Sequence, residues 1–464
     1  MSREGKIVKN AVIYTIGNFG TKVLSYIMML VYTHYIVSAE LGYFDVVVST
    51  ISMLQPIVLL MLDDGIYRWL IDEHITDKQT VISTCLKTII FTSTFAVLLF
   101  LPIGYYLNLP HTVNICFYAF TTFVYSVVLS AVRGLTNNKL YAASGVINCL
   151  FLLVFEVIGL MVLHLQLEVL FAAKSIAIFI TLFVIRFKQP EFVGVLKKRV
   201  DREQLMSILR YTLPLIPNAI CWWVVNSSDR YIILYFLDAS ANGIYTISNK
   251  FPTIVTAITG IVYFSVQESF LKEYNSKDRD EFYSKIFRKY YCLLFGLVLC
   301  GIPATRIIIE LFTGTEYTTA WKYTGFLFLS IVFQALSALL GIGYQIARET
   351  KRSVFSTVGA AALNFIVNVL LISKFGLHAA SFSTFIAYLF LFIIRIYHSK
   401  KYFTLKIKWL EMIGFVMASL GVSALTLFIK NVLWCFLIVI PAIVFVYLYN
   451  KEMINKILAK IIKR

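Results

Sequence analysis

Charge is what this chain lacks. Asp, Glu, Lys and Arg together make up 14% of its 464 residues, against roughly 25% in soluble domains. With hydrophobic residues at 59% and a mean hydropathy of +0.79, a water-soluble globule is excluded. Paired cysteine spacing is missing too. Cys85, Cys116, Cys149, Cys221, Cys292, Cys300 and Cys435 are scattered, mostly within apolar runs, so they read as small hydrophobes rather than a disulfide framework. The six histidines stand far apart with no H-x-x-H or H-E-x-x-H pattern, and no metal site is expected. No G-x-x-x-x-G-K-[ST] run occurs, which excludes a P-loop ATPase as the source of drive. The first apolar segment, about 26 residues long, carries no A-x-A-like cleavage site and is expected to remain as a span.

What the chain has is apolar length. About fourteen segments of roughly 20 residues are long enough to cross a bilayer as helices. The last two, 409–429 and 431–449, are separated almost only by Lys430 and read as one hairpin. The runs are continuously apolar rather than alternating, which rules out a β-barrel. With every even-numbered connection placed on one side, that side holds 34 of the 42 Lys and Arg residues. It is therefore expected to be cytoplasmic, with both termini inside. The net charge of +17 is mostly this bias. Because the cations lie in short loops beside apolar spans, nucleic acid is not an expected partner. In Lys451–Arg464, Ile454, Ile457, Leu458, Ile461 and Ile462 recur at helical spacing with lysines on the other faces. A basic amphipathic helix against anionic membrane lipids is expected there.

Two stretches repeat each other. Tyr14–Leu60 and Leu215–Ile261 superpose without a gap at an offset of 201. Each runs from an apolar segment through a polar break into Gly plus an aromatic: Leu41-Gly42-Tyr43-Phe44 and Asn242-Gly243-Ile244-Tyr245. Six spans separate the copies, so both point the same way, and parallel repeats are a transporter architecture. The expected fold is all-α and polytopic, with about fourteen transmembrane helices. It comprises a six-helix lobe over 1–190, a cytoplasmic linker over 191–210 and a second six-helix lobe over 211–400. Two additional spans over 401–450 and the tail over 451–464 complete it.

Polar groups inside spans carry the functional signal, since a charge there costs about 2.5–3.5 kcal/mol on insertion scales. Lys22 lies about 18 Å into the first span, and Arg230 and Lys250 about 10–12 Å from the outer surface at matching depth on consecutive helices. Together they outline a cationic vestibule suited to an anionic head group, with Lys as a point charge and Arg as a bidentate donor. The competing role is structural, with Arg230 or Lys250 neutralising Asp229 or Glu156. Those two carboxylates are the titratable candidates for coupling to a proton or sodium gradient; no other cofactor is expected. Lys174 reads as a side chain snorkelling to the outer interface. Trp222, Trp223, Asn226, Ser227 and Ser228 lie just inward of Asp229, Asn364 and Asn368 share a helix face, and Gln334 sits mid-span. Trp222, Trp223, Asn226, Asn364, Asn368 and Gln334 are candidate sugar contacts, with interhelical hydrogen bonding as the competing use.

Asp229-Arg230-Tyr231-Ile232-Ile233-Leu234, then Asn242-Gly243-Ile244-Tyr245 and Ser248-Asn249-Lys250, resemble the D-R-x-x-L…G-x-Y…K pattern opening the second half of Wzx-type O-antigen and polysaccharide flippases. These belong to the multidrug/oligosaccharidyl-lipid/polysaccharide exporter superfamily. Lys9-Asn10-Ala11-Val12-Ile13-Tyr14 through Glu40-Leu41-Gly42-Tyr43-Phe44-Asp45 is similar to that family's first hairpin. Arg133-Gly134 with Lys139-Leu140-Tyr141-Ala142 resembles its fourth-to-fifth connection. The resemblance covers nearly the whole chain and is specific to the family rather than to a substrate. It implies two MATE-like lobes in alternating access and no enzymatic reaction. The implied cargo is a polyprenyl-diphosphate-linked oligosaccharide, moved from the inner to the outer leaflet of a bacterial plasma (inner) membrane. Other polysaccharide assembly proteins are implied partners. A multidrug/cation antiporter of the same superfamily is the first alternative, although it calls for a surplus of buried carboxylates. A major-facilitator protein is disfavoured because Asp63-Asp64-Gly65-Ile66-Tyr67-Arg68 stands where its G-x-x-x-D-R-x-G-R-R run belongs. A membrane polymerase or glycosyltransferase is disfavoured by the short outer connections.

Overall fold

The computed structural model describes residues 22, 24–72, 77–274, 276–346, 349–429, 431–444 and 447. The basic tail over 451–464, the opening motif from Lys9 to Tyr14 and much of the first expected span lie outside the described residues. Among the described residues the chain is helical, without strands. Eleven helices among the described residues are long and apolar enough to cross a membrane, and Trp434–Val444 is a shorter apolar helix. Large apolar side chains such as Phe91, Leu410 and Phe428 stay exposed on these helices, as lipid-facing positions do.

In chain order the helices are α1 (Ser38–Val58), α2 (Leu62–Ile71), α3 (Lys78–Tyr106), α4 (Thr112–Gly134), α5 (Asn138–Val157), α6 (Leu167–Lys188), α7 (Arg202–Thr212), α8 (Ile216–Phe236), α9 (Ala239–Lys250), α10 (Pro252–Lys272), α11 (Arg279–Phe312), α12 (Thr324–Leu340), α13 (Ile342–Ile346), α14 (Thr350–Phe375), α15 (Leu377–Ser399) and α16 (Trp409–Phe428). They fall into two compact units. The first comprises residues 1–36 and 43–223, the second residues 37–42 and 224–464.

In the first unit, helix starts are set by side-chain caps. Asp77, Asn137 and Asp201 accept the Thr80, Leu140 and Gln204 backbone N–H groups at the heads of α3, α5 and α7. Each satisfies an orphan donor that the first turn leaves open. The span α1 is broken from α2 at Leu60 and Met61, both left-handed (φ 52° and 53°). Beyond the break, where the loop-charge pattern predicts an aqueous connection, α2 buries Leu62, Gly65, Ile66 and Leu70 and packs on α4. Its period-3.6 apolar stripe is too short for a hydropathy window to find. At the end of α5 a single π-helical turn, Ile158–Val162, follows buried Glu156.

Asp77 also receives two hydrogen bonds from Lys198 Nζ, at 2.7 and 2.8 Å, tying the connection after α6 to the head of α3. Lys198, then Thr80, holds the Asp77 carboxyl down to about 2. A depressed carboxylate stabilises above its unfolded value and loses that contribution as pH falls through the folded value. The tie is therefore expected to hold at neutral pH and to weaken between about pH 4 and pH 2. Both partners are substantially exposed, so its worth is at most about 1 kcal/mol. The Asp77→Asn variant is expected to raise tryptic cleavage at Lys197–Arg199 a few-fold at neutral pH. Unchanged cleavage would dismiss the tie.

In the second unit an aromatic core, including Phe287, Phe295, Phe333 and Phe392, joins α11, α12 and α15. Arg306 pairs with Glu310 at 2.8 Å and lies over the Trp321 ring, donating also to the Thr426 and Ile429 carbonyls at the end of α16. It is a pin for that helix end. The two copies of the repeat meet here. A Cβ added at Gly42 would lie 1.8 Å from the Ala239 carbonyl oxygen, and one at Gly243 would lie 2.0 Å from the Ser38 carbonyl oxygen. The repeat's offset of 201 carries Ser38 onto Ala239 and Gly42 onto Gly243 and so exchanges the two contacts, which gives the crossing local two-fold character. Asn242 Nδ2 donates to the Gly42 carbonyl at 2.9 Å, Ser38 and Ser240 share a 2.5 Å hydroxyl contact, and Glu316 Oε2 accepts the Ser38 N–H at 2.6 Å.

Candidate functional site

Helix α8 carries five of the expected site residues. Trp222, Asn226 and Arg230 recur at i and i+4, one stripe of the helix, and Asp229 is turned about 100° from Arg230. Asn226 is exposed and Arg230 half-buried, whereas Asp229 is 4% exposed. Arg230 Nη1 donates to the Asn226 carbonyl at 3.1 Å and lies within electrostatic reach of Asp229.

Asp229 is enclosed by its own unit. Its Oδ1 accepts from Asn368 Nδ2 at 3.0 Å, and its Oδ2 from Tyr245 at 2.9 Å and Thr384 at 2.8 Å. Three donors from α9, α14 and α15 therefore meet one carboxylate, a set that suits its ionised, acceptor-only form. Next along α8, Asn226 Oδ1 accepts from Tyr388 at 2.7 Å, and Gln334 Nε2 donates to the Tyr388 hydroxyl at 2.7 Å. Asn364 Nδ2 donates to Thr384 at 3.3 Å. The buried Asn364 Oδ1, Asn368 Oδ1 and Ser228 Oγ have no hydrogen-bond partner. Unsatisfied carbonyl oxygens at zero exposure are uncommon and call for a physical reason. They leave unoccupied acceptors on α8 and α14, the helix that carries the Asp229 carboxylate and one that donates to it. Among the described residues no cluster of three His, Cys, Asp or Glu side chains could hold a metal ion.

The structure thus gathers Asp229, Asn226, Asn364, Asn368 and Gln334 into one network in the second unit. Lys250, half-buried, ends α9 in the same unit, eight residues from the crossing at Asn242. Lys22, exposed, and Glu156, buried, belong to the first unit. There Trp222 is half-buried and Trp223 Nε1 donates to the Ser49 carbonyl at 3.0 Å. Lys174 lies over the Phe44 and Tyr118 rings, 5.0 and 5.8 Å from their centroids, where cation–π attraction offsets its desolvation. Tyr245, Thr384 and Tyr388 complete the network, although sequence reading passed over all three. Tyr245 stood inside the quoted Gly-aromatic motif, the one signal that could have pointed to it.

Helices of this length and apolarity make the chain a multi-pass membrane protein. Known proteins place it further. The family model described as polysaccharide biosynthesis protein matches residues 7–271. An uncharacterized membrane protein of Methanocaldococcus jannaschii is 22% identical, with the whole of each chain covered. Among solved structures, the lipid II flippase MurJ in an inward closed conformation is similar with a TM-score of 0.70 at 13% identity, over 96% of this chain and 100% of that one. An inward-facing multidrug resistance MATE family transporter of the MOP superfamily is similar with a TM-score of 0.63 at 12% identity, over 87% and 95%. The chain belongs to the polysaccharide biosynthesis protein family.

Proposed function

We propose that the protein is a flippase that moves a polyprenyl-diphosphate-linked oligosaccharide from the inner to the outer leaflet of the plasma membrane by alternating access, for cell-surface polysaccharide assembly. The observation that carries this reading is the division of charge on α8. Asp229 is turned into the interior with both oxygens occupied, and Arg230 and Asn226 occupy the adjacent, less buried stripe. The polarity left toward a passenger is therefore cationic and amide-rich, which suits a diphosphate and sugar hydroxyls rather than a cationic drug. A lipid-linked head group cannot cross hydrocarbon unaided, because each unsatisfied polar group costs several kcal/mol there. In this reading Lys22, Arg230 and Lys250 hold the anionic head group, and Trp222, Trp223 and Asn226 meet the sugar.

Asp229, with the unpartnered Asn364 and Asn368 oxygens, is the proposed seat of coupling to a proton or sodium gradient, and Glu156 is a second candidate. Both termini face the cytoplasm, the membrane is a bacterial inner membrane, and neighbouring assembly proteins receive the product. The likeness to a multidrug transporter supports the second reading, a cation antiporter.

Leaflet-resolved detection of the lipid-linked precursor tests the choice. Cells lacking the gene are expected to accumulate precursor in the inner leaflet, and an unchanged leaflet distribution would overturn the flippase reading. Arg230→Glu is expected to lower glycan export at least tenfold at normal protein abundance, while Arg230→Lys retains much of it. Wild-type export by Arg230→Glu would remove Arg230 from the site.

A further inference from the structure

Two rungs of hydrogen bonding lace α8 to α15 inside the second unit. One joins Asp229 to Thr384 at 2.8 Å, the other Asn226 to Tyr388 at 2.7 Å. Asn226 and Asp229 are i, i+3 neighbours on α8, and Thr384 and Tyr388 are i, i+4 neighbours on α15, so each pair shares a helix face. The rungs are therefore successive, about 4.5–6 Å apart along the helices. One ends on a buried carboxylate and the other on an exposed amide.

Each rung has a spare partner. Thr384 has one hydroxyl proton and two acceptors for it, Asp229 Oδ2 and, at 2.9 Å, the Ala380 carbonyl of its own helix. A hydroxyl donates once, so it can turn to Ala380 when a proton or cation occupies Asp229. The Tyr388 side chain is 3% exposed, and its hydroxyl also accepts from Gln334 Nε2 at 2.7 Å. That bond remains when Asn226 turns toward a passenger. Either rung can thus open without leaving its buried hydroxyl unpaired, the outcome that makes opening a buried hydrogen bond unfavourable.

The rungs answer to different ligands. In the proposed function a proton or sodium ion takes Asp229, and the cargo head group takes Asn226. The ligand that arrives first opens one rung while the other still holds α15 against α8. The ligand that arrives second must open the remaining one, and the loss of both is worse than additive for groups in a shared network. We propose that Tyr388, through its rung to Asn226, makes cargo binding and cation binding in the second unit mutually antagonistic. The antagonism is reciprocal: each ligand weakens the other by the same factor. Exchange of cargo against an incoming cation requires a coupling of this sign. The inference rests on the reading of Asp229 as the coupling site and Asn226 as a cargo contact. Tyr388 meets neither ligand and is a positioning residue.

The test uses the full chain in lipid nanodiscs, with undecaprenyl-diphosphate-linked N-acetylglucosamine as the probe. Probe affinity is read in sodium-free alkaline buffer, then after sodium is added, and separately after acidification. Wild type is expected to bind about fivefold or more weakly once the coupling cation is supplied. Y388F is expected to bind at least as tightly as wild type in the cation-free buffer and to show no weakening, because its cargo rung is already open. Y388M is the second route to the same result if Y388F does not accumulate. Weakening of wild-type size in Y388F, or in Y388M in its stead, would overturn the proposal. So would affinity lowered alike in every buffer, since Tyr388 would then serve only the fold. D229N tests the premise separately and is expected to bind the probe without regard to either cation. If D229N still responds, the Asp229 reading fails on its own, and a wild type that responds to neither cation overturns both.

Discussion

The Gly243→Val variant is expected to abolish transport and to lower the thermal midpoint of the purified protein. The obstacle at Gly243 is backbone: a Cβ there would stand 2.0 Å from the Ser38 carbonyl oxygen, and one at Gly42 would stand 1.8 Å from that of Ala239. No rotamer change relieves such a contact, so the helix starts must separate. Separation also breaks the Asn242 bond to the Gly42 carbonyl and the Glu316 bond to the Ser38 N–H. The spacing Ser38-x-x-x-Gly42 against Ala239-x-x-x-Gly243 is the small-x-x-x-small signature of close helix crossing in membranes, where packing replaces the hydrophobic drive. Even Gly243→Ala carries the offending Cβ, and overpacking of this kind typically costs about 1–3 kcal/mol. Because either substitution parts the same helices, Gly42→Ala and Gly243→Ala are expected to be far from additive when combined. Gly421→Ala, with open space around its Cβ, is the control. It is expected to be neutral or to stabilise by up to about 1 kcal/mol through helix propensity. A wild-type midpoint and wild-type transport in Gly243→Ala would show that the crossing is not tight.

The parts of this molecule that were legible in the sequence are those where a rule of the bilayer has a large energy. Spans are legible because about 20 apolar residues in a row rarely serve any purpose but crossing hydrocarbon. Arg230 and Asp229 are legible because charge in hydrocarbon is expensive. Tyr245, Thr384 and Tyr388 were missed for the converse reason: hydroxyls enter spans cheaply and leave no mark in hydropathy, yet two of them close on Asp229 and the third on Asn226. The repeat showed that Gly42 and Gly243 correspond. That corresponding residues touch is a fact of tertiary packing that no one-dimensional pattern contains.

Replacing Asp229 separates the two roles its network can have. Asp229→Asn keeps size and shape, and the Tyr245 and Thr384 hydroxyls can rotate to accept from the new amide. The variant is expected to accumulate normally and to lose gradient-driven transport at least tenfold, since an amide neither carries a proton nor balances a cation. Asp229→Leu is expected to lose stability as well. Thr384 retains the Ala380 carbonyl as a second acceptor at 2.9 Å, but the Tyr245 and Asn368 donors are stranded in the interior. A stranded buried donor costs about 1–3 kcal/mol. Moving the charge tests identity against place: Asp229→Asn with Asn368→Asp shifts the carboxylate across a single 3.0 Å hydrogen bond. That double variant is expected to recover part of the lost coupling, read as transport against an imposed proton or sodium gradient. If Asp229→Asn instead transports at the wild-type rate with unchanged dependence on the gradient, the network is a structural clasp. The coupling group must then be sought in the first unit, where Glu156 is the buried carboxylate.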